Sequence, residues 1–227
     1  MGNEENAKAA QAMSVYWDKG AQTYDARHEL APVEVWQKYL SGFIGDNKDG
    51  KILDIATGTG MIAHMLASYG YTDVTGADLS EGMMNIAREH AQRDGLNIRY
   101  IHANALELPY EDESLDTVIS SRLLWTLYKP EEAIREWLRV LKKGGRIIAI
   151  NQLEEQGIRS RSFDDPERYL GTEVSAEHFT FANASRQEIL NTFTAAGVKE
   201  LNLTHLTGCH MLSDETEDWY AFTGVKH

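Results

Sequence analysis

Two carboxylates separated by a glycine turn are the residues of this chain best arranged to do chemistry. Asp54 lies in the run Lys51-Ile52-Leu53-Asp54-Ile55, and the turn Ala56-Thr57-Gly58-Thr59-Gly60 follows at once. Asp78 stands about 20 residues past the turn. Gly58 and Gly60 lack a Cβ, so the backbone can bend there and a ligand can come close. A helix starting at the turn would aim its free N–H groups and positive dipole end at that ligand. Asp78 sits where an acid accepts two hydrogen bonds from the cis-diol of a ribose. Gly58-Thr59-Gly60-Met61-Ile62-Ala63 also fits the G-x-G-x-x-G/A fingerprint of dinucleotide sites. Asp54 points elsewhere: its carboxylate would repel a diphosphate but not a ligand carrying an ammonium or a sulfonium.

The elements that must hold these groups alternate strand and helix, the pattern of an α/β sheet. Ile52, Leu53 and Ile55 read as a strand covered on both faces. Ile62, Met65, Leu66 and Tyr69 form the stripe of the helix after the turn. Further strands are expected at Asp73–Ala77, Ile98–His102, Leu115–Ser120 and Arg146–Ile150. Pro130 opens a helix whose core face is Ile134, Trp137, Leu138 and Leu141, closed by Lys142, Lys143, Gly144 and Gly145. Before the first strand, a helix from about Glu4 to Asp25 carries Ala9, Met13, Tyr16 and Trp17 on one face, with Gly20 ending it. Pro32 starts a second helix, with Val33, Trp36, Leu40, Phe43 and Ile44 inside. After residue 184, Ser185 and Glu188 form a capping box, and Gly197 stops that helix. Val198–His205 and Asp218–Gly224 read as an antiparallel strand pair.

Composition narrows the partners. The 227 residues are 42% hydrophobic, enough for a core, and the formal net charge is −13. That sign argues against a nucleic-acid backbone or an anionic membrane surface as partner. Cys209 is the one cysteine, so no intrachain disulfide can form, and a reducing, cytoplasmic setting is expected. The spacing of His205, Cys209 and His210 matches no common zinc pattern, so no metal is expected.

With Asp54, Ala56, Gly58, Gly60 and Asp78 in order, the stretch resembles motif I of the class I S-adenosylmethionine-dependent methyltransferases, with Ala56 in place of the first of three alternating glycines. Other segments resemble the same family. Tyr16-Trp17-Asp18-Lys19-Gly20-Ala21-Gln22-Thr23-Tyr24-Asp25 is similar to the N-terminal cap of small-molecule members. Ala103-Asn104-Ala105-Leu106-Glu107-Leu108-Pro109-Tyr110 is similar to the adenine loop, with Asn104 where an aspartate is usual. The resemblance covers residues 16 to 150. It implies a three-layer Rossmann-like fold of seven strands in order 3-2-1-4-5-7-6, the last strand antiparallel, with an N-terminal helical cap. One domain is implied over 1–227: cap 1–48, cofactor core 51–150, lid or insertion 151–184, and a C-terminal helix with a strand pair at 185–227.

The same resemblance implies transfer of a methyl group from S-adenosyl-L-methionine to a small-molecule acceptor, releasing S-adenosyl-L-homocysteine, by a monomer or homodimer. Cofactor contacts are expected from Tyr16, Tyr24, Asp54, Ala56, Thr57, Gly58, Gly60, Asp78, Leu79, Met83, Asn104, Ala105, Ser121 and Arg122. Tyr24 is the candidate for the methionine carboxylate, and Arg122 suits a carboxylate on either ligand. Trp17, Trp125 and Tyr128 would wall the acceptor, and Arg159 and Arg161 would hold it if it is anionic. His28, His178 and His210 are candidate bases by titration range, His178 first because it falls in the lid. Two other readings stay open: a nicotinamide oxidoreductase using the same turn, and a fold of this type that binds the nucleoside without catalysis. Asp54 and the antiparallel ending speak against the first; Ala56 and Asn104 keep the second.

Overall fold

The computed structural model describes residues 2–24, 33–153, 181, 184–210 and 218–227. Its frame is a seven-stranded sheet in the order β3-β2-β1-β4-β5-β7-β6. The strands are β1 (Lys51–Ile55), β2 (Asp73–Asp78), β3 (Arg99–His102), β4 (Leu115–Ser121), β5 (Leu141–Leu153), β6 (Lys199–His205) and β7 (Asp218–Val225). β1 pairs in parallel with β2 and β4, while β7 runs antiparallel to both of its neighbours. This is the expected strand order and not the all-parallel six-strand sheet of a dehydrogenase.

The order has a consequence for the site. β1 lies between β2 and β4, and chain connections leave toward opposite ends of the sheet on its two sides. A crevice therefore opens at the C-terminal ends of these strands, where open α/β sheets bind ligands. Asp54, Asp78 and Ser121 all stand at those ends.

Helices α2 (Val33–Ile44) and α3 (Met61–Ser68) pack on one side, burying Trp36, Leu40, Ile62 and Leu66 with Ile52, Val74 and Trp219. The other side is covered by α5 (Pro130–Val140) and α6 (Arg186–Ala196), which bury Ile134, Trp137, Ile189 and Phe193 against Leu53, Val118 and Phe222. α4 (Glu81–Arg93) starts directly after β2, with Ser80 as N-cap accepting from Met83 N. The capping box at Ser185 and Glu188 and the left-handed Gly197 form as the sequence indicates.

Three boundaries differ from expectation. α1 (Gly2–Tyr24) runs through Gly20 without ending. Ala21, one residue on, is buried, and packing of that turn outweighs the glycine's weak helix preference. α5 stops at Val140, and Lys142 to Gly145 belong to β5. Their pairing explains it: Gly144 N donates to Lys226 O at 2.7 Å, Lys226 N donates to Gly145 O at 3.0 Å, and Lys142 bonds Asp116 at 2.8 Å. β5 also continues to Leu153, so residues 151–153 are strand and not the start of an insertion.

Candidate functional site

A cavity of about 920 Å³, counting its open mouth, lies over the ends of β1, β2 and β4. Ala56, Gly58, Asp78 and Leu79 form its floor, Asn104 to Leu106 one wall, and Ser121 to Tyr128 the other. α1 closes the top with Asn6, Ala9, Met13 and Trp17.

The floor is tied together through Asp78. One of its oxygens accepts from Gly58 N at 2.8 Å, the other from Ser80 N at 2.8 Å. Each carboxylate oxygen has a second lone pair, so capacity for a diol remains. Burial raises the Asp78 pKa above the ordinary carboxylate value, against the opposing pull of these backbone bonds. Gly58 is left-handed at φ +56°, and nothing lies within 4 Å of where its Cβ would be, so the space above it is open to a ligand. Ala56 is left-handed too, at φ +55°, a conformation that costs a non-glycine residue roughly 1–2 kcal/mol. That cost explains why a glycine is usual at this position.

Asp54 does something other than expected. Its carboxylate does not line the cavity. It lies beneath the turn, where Oδ2 accepts from Thr57 Oγ1 at 2.6 Å and from Ala63 N at 3.2 Å. Burial pushes its carboxyl up to about 7. Asp54 thus braces the strand–turn–helix joint from inside. Thr57 and Gly60 are absent from the cavity lining as well. Gly60 is needed for packing: a Cβ there would meet Tyr100 Oη at 2.7 Å and Ala87 Cβ at 2.9 Å. Tyr16 is the fourth expected contact that does not line the cavity; its ring stands edge-on to Trp17 at 5.1 Å.

The other described candidates converge. Tyr24, Leu79, Met83, Asn104, Ala105, Ser121, Arg122, Trp17, Trp125 and Tyr128 all line the cavity. Trp17 is the hub of the aromatic group, edge-on to Tyr24 at 6.0 Å and to Trp125 at 6.1 Å. The Arg122 guanidinium lies 5.9 Å from the Tyr24 ring centre. Arg122 also holds a left-handed φ of +60° at the end of β4, anchored by its N–H to Ile150 O at 2.8 Å. Strained positions of this kind gather at binding sites.

Asn104 uses its side-chain oxygen within its own loop, accepting from Leu106 N at 3.0 Å. α5 fixes the loop from behind: Trp137 Nε1 donates to Ala105 O at 2.9 Å, and Glu136 accepts from Leu108 N at 2.7 Å. His28, His178, Arg159 and Arg161 lie outside the described residues. His210 belongs to the α2 side of the sheet, its carbonyl accepting from Trp36 Nε1, and does not line the cavity.

Sequence reading missed Asn6, Leu106, Leu123 and Leu127 as lining residues. Ala9, Met13 and Trp17 recur every four residues, a helical stripe that signals a buried face but not what it covers.

The strand order is that of the class I methyltransferase fold. Residues 53–149 match the family model described as a methyltransferase domain. The chain is 34% identical over 139 residues to demethylmenaquinone methyltransferase of Clavibacter sepedonicus, covering 60% of this chain and 56% of the relative. It is 28% identical over 218 residues to the ubiquinone/menaquinone biosynthesis C-methyltransferase UbiE of Allorhizobium ampelinum, covering 84% of this chain and 82% of that one. Among the first-matched curated relatives the chain thus spans little more than half of their length. Geranyl diphosphate C-methyltransferase from Streptomyces coelicolor shares the fold at TM-score 0.69 and 16% identity, covering 96% of this chain and 98% of the other.

Proposed function

We propose that the protein transfers a methyl group from S-adenosyl-L-methionine to a nucleophilic atom of a small molecule by in-line displacement. The carrying observation is the single cavity that joins a nucleoside-type floor, Gly58 and Asp78, to an apolar half under α1. The whole chain is taken to work as one methyltransferase unit, as a monomer or homodimer in the cytoplasm.

Asp78 would hold the ribose hydroxyls, Leu79 and Met83 would border the adenine, and Asn104 with Ala105 would face its edge. Tyr24, Ser121 and Arg122 would hold the amino-acid end, where the guanidinium suits a carboxylate. The cofactor supplies a methyl group on a sulfonium sulfur, whose charge is lost as the methyl leaves. The protein's own part is to align the acceptor and keep out water, which accounts for large rate factors without a protein base. α1 and the aromatic group do both.

The acceptor half, lined by Met13, Trp17, Leu106, Trp125 and Tyr128, fits a molecule with an apolar body. Demethylmenaquinone, which the names of two relatives give, is the first candidate. Calorimetry with S-adenosylhomocysteine and with NAD tests the cofactor: binding of the first and not the second is expected. A labelled-methyl screen over acceptor pools that include demethylmenaquinone tests the transfer. No nucleoside binding in the intact protein would end the reading.

A further inference from the structure

The geometry points to Asp18, on the α4-facing side of α1, as a positioning residue that latches the roof helix to the ribose-binding floor. This rests on the nucleoside reading of the floor given above. Asp18 Oδ1 accepts from Ser80 Oγ at 2.5 Å and from Gly82 N at 2.9 Å. Ser80 is fully buried and serves both sides of the joint. Its Oγ donates to Asp18 and accepts from Met83 N at 3.0 Å, while its N–H donates to Asp78 Oδ1 at 2.8 Å. One serine therefore connects a carboxylate on the roof to the carboxylate on the floor.

Gly82 supports the same assignment independently. It sits in the first turn of α4, where glycine is a poor helix former. A Cβ at this position would meet Asp18 Oδ1 at 3.1 Å and Ala21 Cβ at 3.4 Å. The glycine lets α1 approach closely enough for Asp18 to reach the N–H groups at the start of α4, where a negative charge is also favoured by the helix dipole.

The roof has a second tie. Asn6 Oδ1 accepts from Lys129 Nζ at 2.9 Å, just before α5. Lys129 holds a left-handed φ of +47° at that point. α1 is thus fastened to the segment after β2 at one end and to the segment after β4 at the other, with Ala9, Met13 and Trp17 over the cavity between them. Of the two ties, Asp18 is the one bonded into the Asp78 network, so its loss should be felt by the nucleoside first.

The test compares the intact protein with Asp18→Ala, Asp18→Asn and Gly82→Ala by S-adenosylhomocysteine calorimetry and by hydrogen exchange of residues 2–24. Asp18→Ala should raise the Kd about fivefold to tenfold, the scale of one lost hydrogen bond. It should also speed exchange of α1 amides while those of α4 stay protected. The asparagine keeps an acceptor for both donors, so Asp18→Asn should stay within about twofold of the parent. Gly82→Ala favours the helix and should fold, yet shift α1 outward and weaken binding in the same direction as Asp18→Ala. Parent-like affinity and exchange in both Asp18→Ala and Gly82→Ala would overturn the latch. Equal loss in Asp18→Asn and Asp18→Ala would overturn it too, by assigning the effect to charge. If the parent binds no nucleoside, the proposed function fails, and the exchange of α1 still decides whether Asp18 fastens it.

Discussion

On the floor of the cavity, β1 and β2 set almost everything through backbone groups and buried carboxylates; across the same space, α1 presents small and aromatic side chains and is fastened by ties such as Asp18 to Ser80 and Asn6 to Lys129. The floor has little freedom. Gly58 N, Asp78 and Ser80 N are linked in one chain of hydrogen bonds, and Asp54 locks the turn from below. The roof rests on ring contacts and hydrogen bonds that reach the surface. A rigid floor suits a ligand common to many relatives, and a side-chain roof suits an acceptor that differs among them.

Breaking the floor should cost most. If Asp78 holds the ribose diol as proposed, Asp78→Ala should weaken S-adenosylhomocysteine binding about a thousandfold, measured by calorimetry. If the loss is no greater than for a roof variant, floor and roof are not distinct.

Asp54→Asn tests the brace through pH. Because burial lifts the folded-state pKa to about 7 from 3.8, the folded protein keeps a proton that the unfolded chain releases. Stability from this group therefore falls as pH rises from about 4 to 7, then levels off. The full shift, net of the bonds to Thr57 and Ala63, sets an upper limit of about 4 kcal/mol. Denaturant unfolding across that range should show the asparagine variant gaining on the parent as pH rises. A constant difference would remove the brace's titration.

On the roof, Trp17→Ala takes away the hub ring. The KM for the acceptor should rise about tenfold while nucleoside affinity changes little, the scale of one lost aromatic pair with its buried area. Equal changes in both would mean the roof does not separate the two ligands.

Two smaller substitutions sharpen the floor. Ala56→Gly relieves left-handed strain but adds unfolded-state freedom, leaving a net gain of about 0.5–1 kcal/mol in thermal unfolding. Asn104→Asp supplies a second carboxylate oxygen while the first keeps Leu106 N, so nucleoside binding should tighten about threefold.

Much of the floor could be read in advance because it is local. Motif spacing places Asp54, Gly58 and Asp78 at strand ends, and the family resemblance supplies the order that makes those strands neighbours. Roles were less legible. Asp54 looked like a ligand contact, yet its side chain turns beneath the turn; a strand's alternation gives the face, not what fills it. Thr57 and Gly60 do not line the cavity, and Tyr100 and Ala87, the neighbours a Cβ on Gly60 would meet, come from other elements. Tyr16 and Trp17 are adjacent, and only the docking of α1 determines which ring meets the cavity.

The sequence by itself determined the alternation of strands and helices, the glycine turn, the acid after β2 and the caps of the later helices, because each depends on residues close along the chain; the strand order came from the family resemblance. Tertiary structure decided that α1 continues past Gly20, that Lys142 to Gly145 join a strand, and that Asp18 reaches Ser80. Those outcomes depend on distant partners, such as Asp18 with Ser80, 62 residues apart, and Gly144 with Lys226, 82 apart, and no local pattern encodes the meeting of surfaces so far apart.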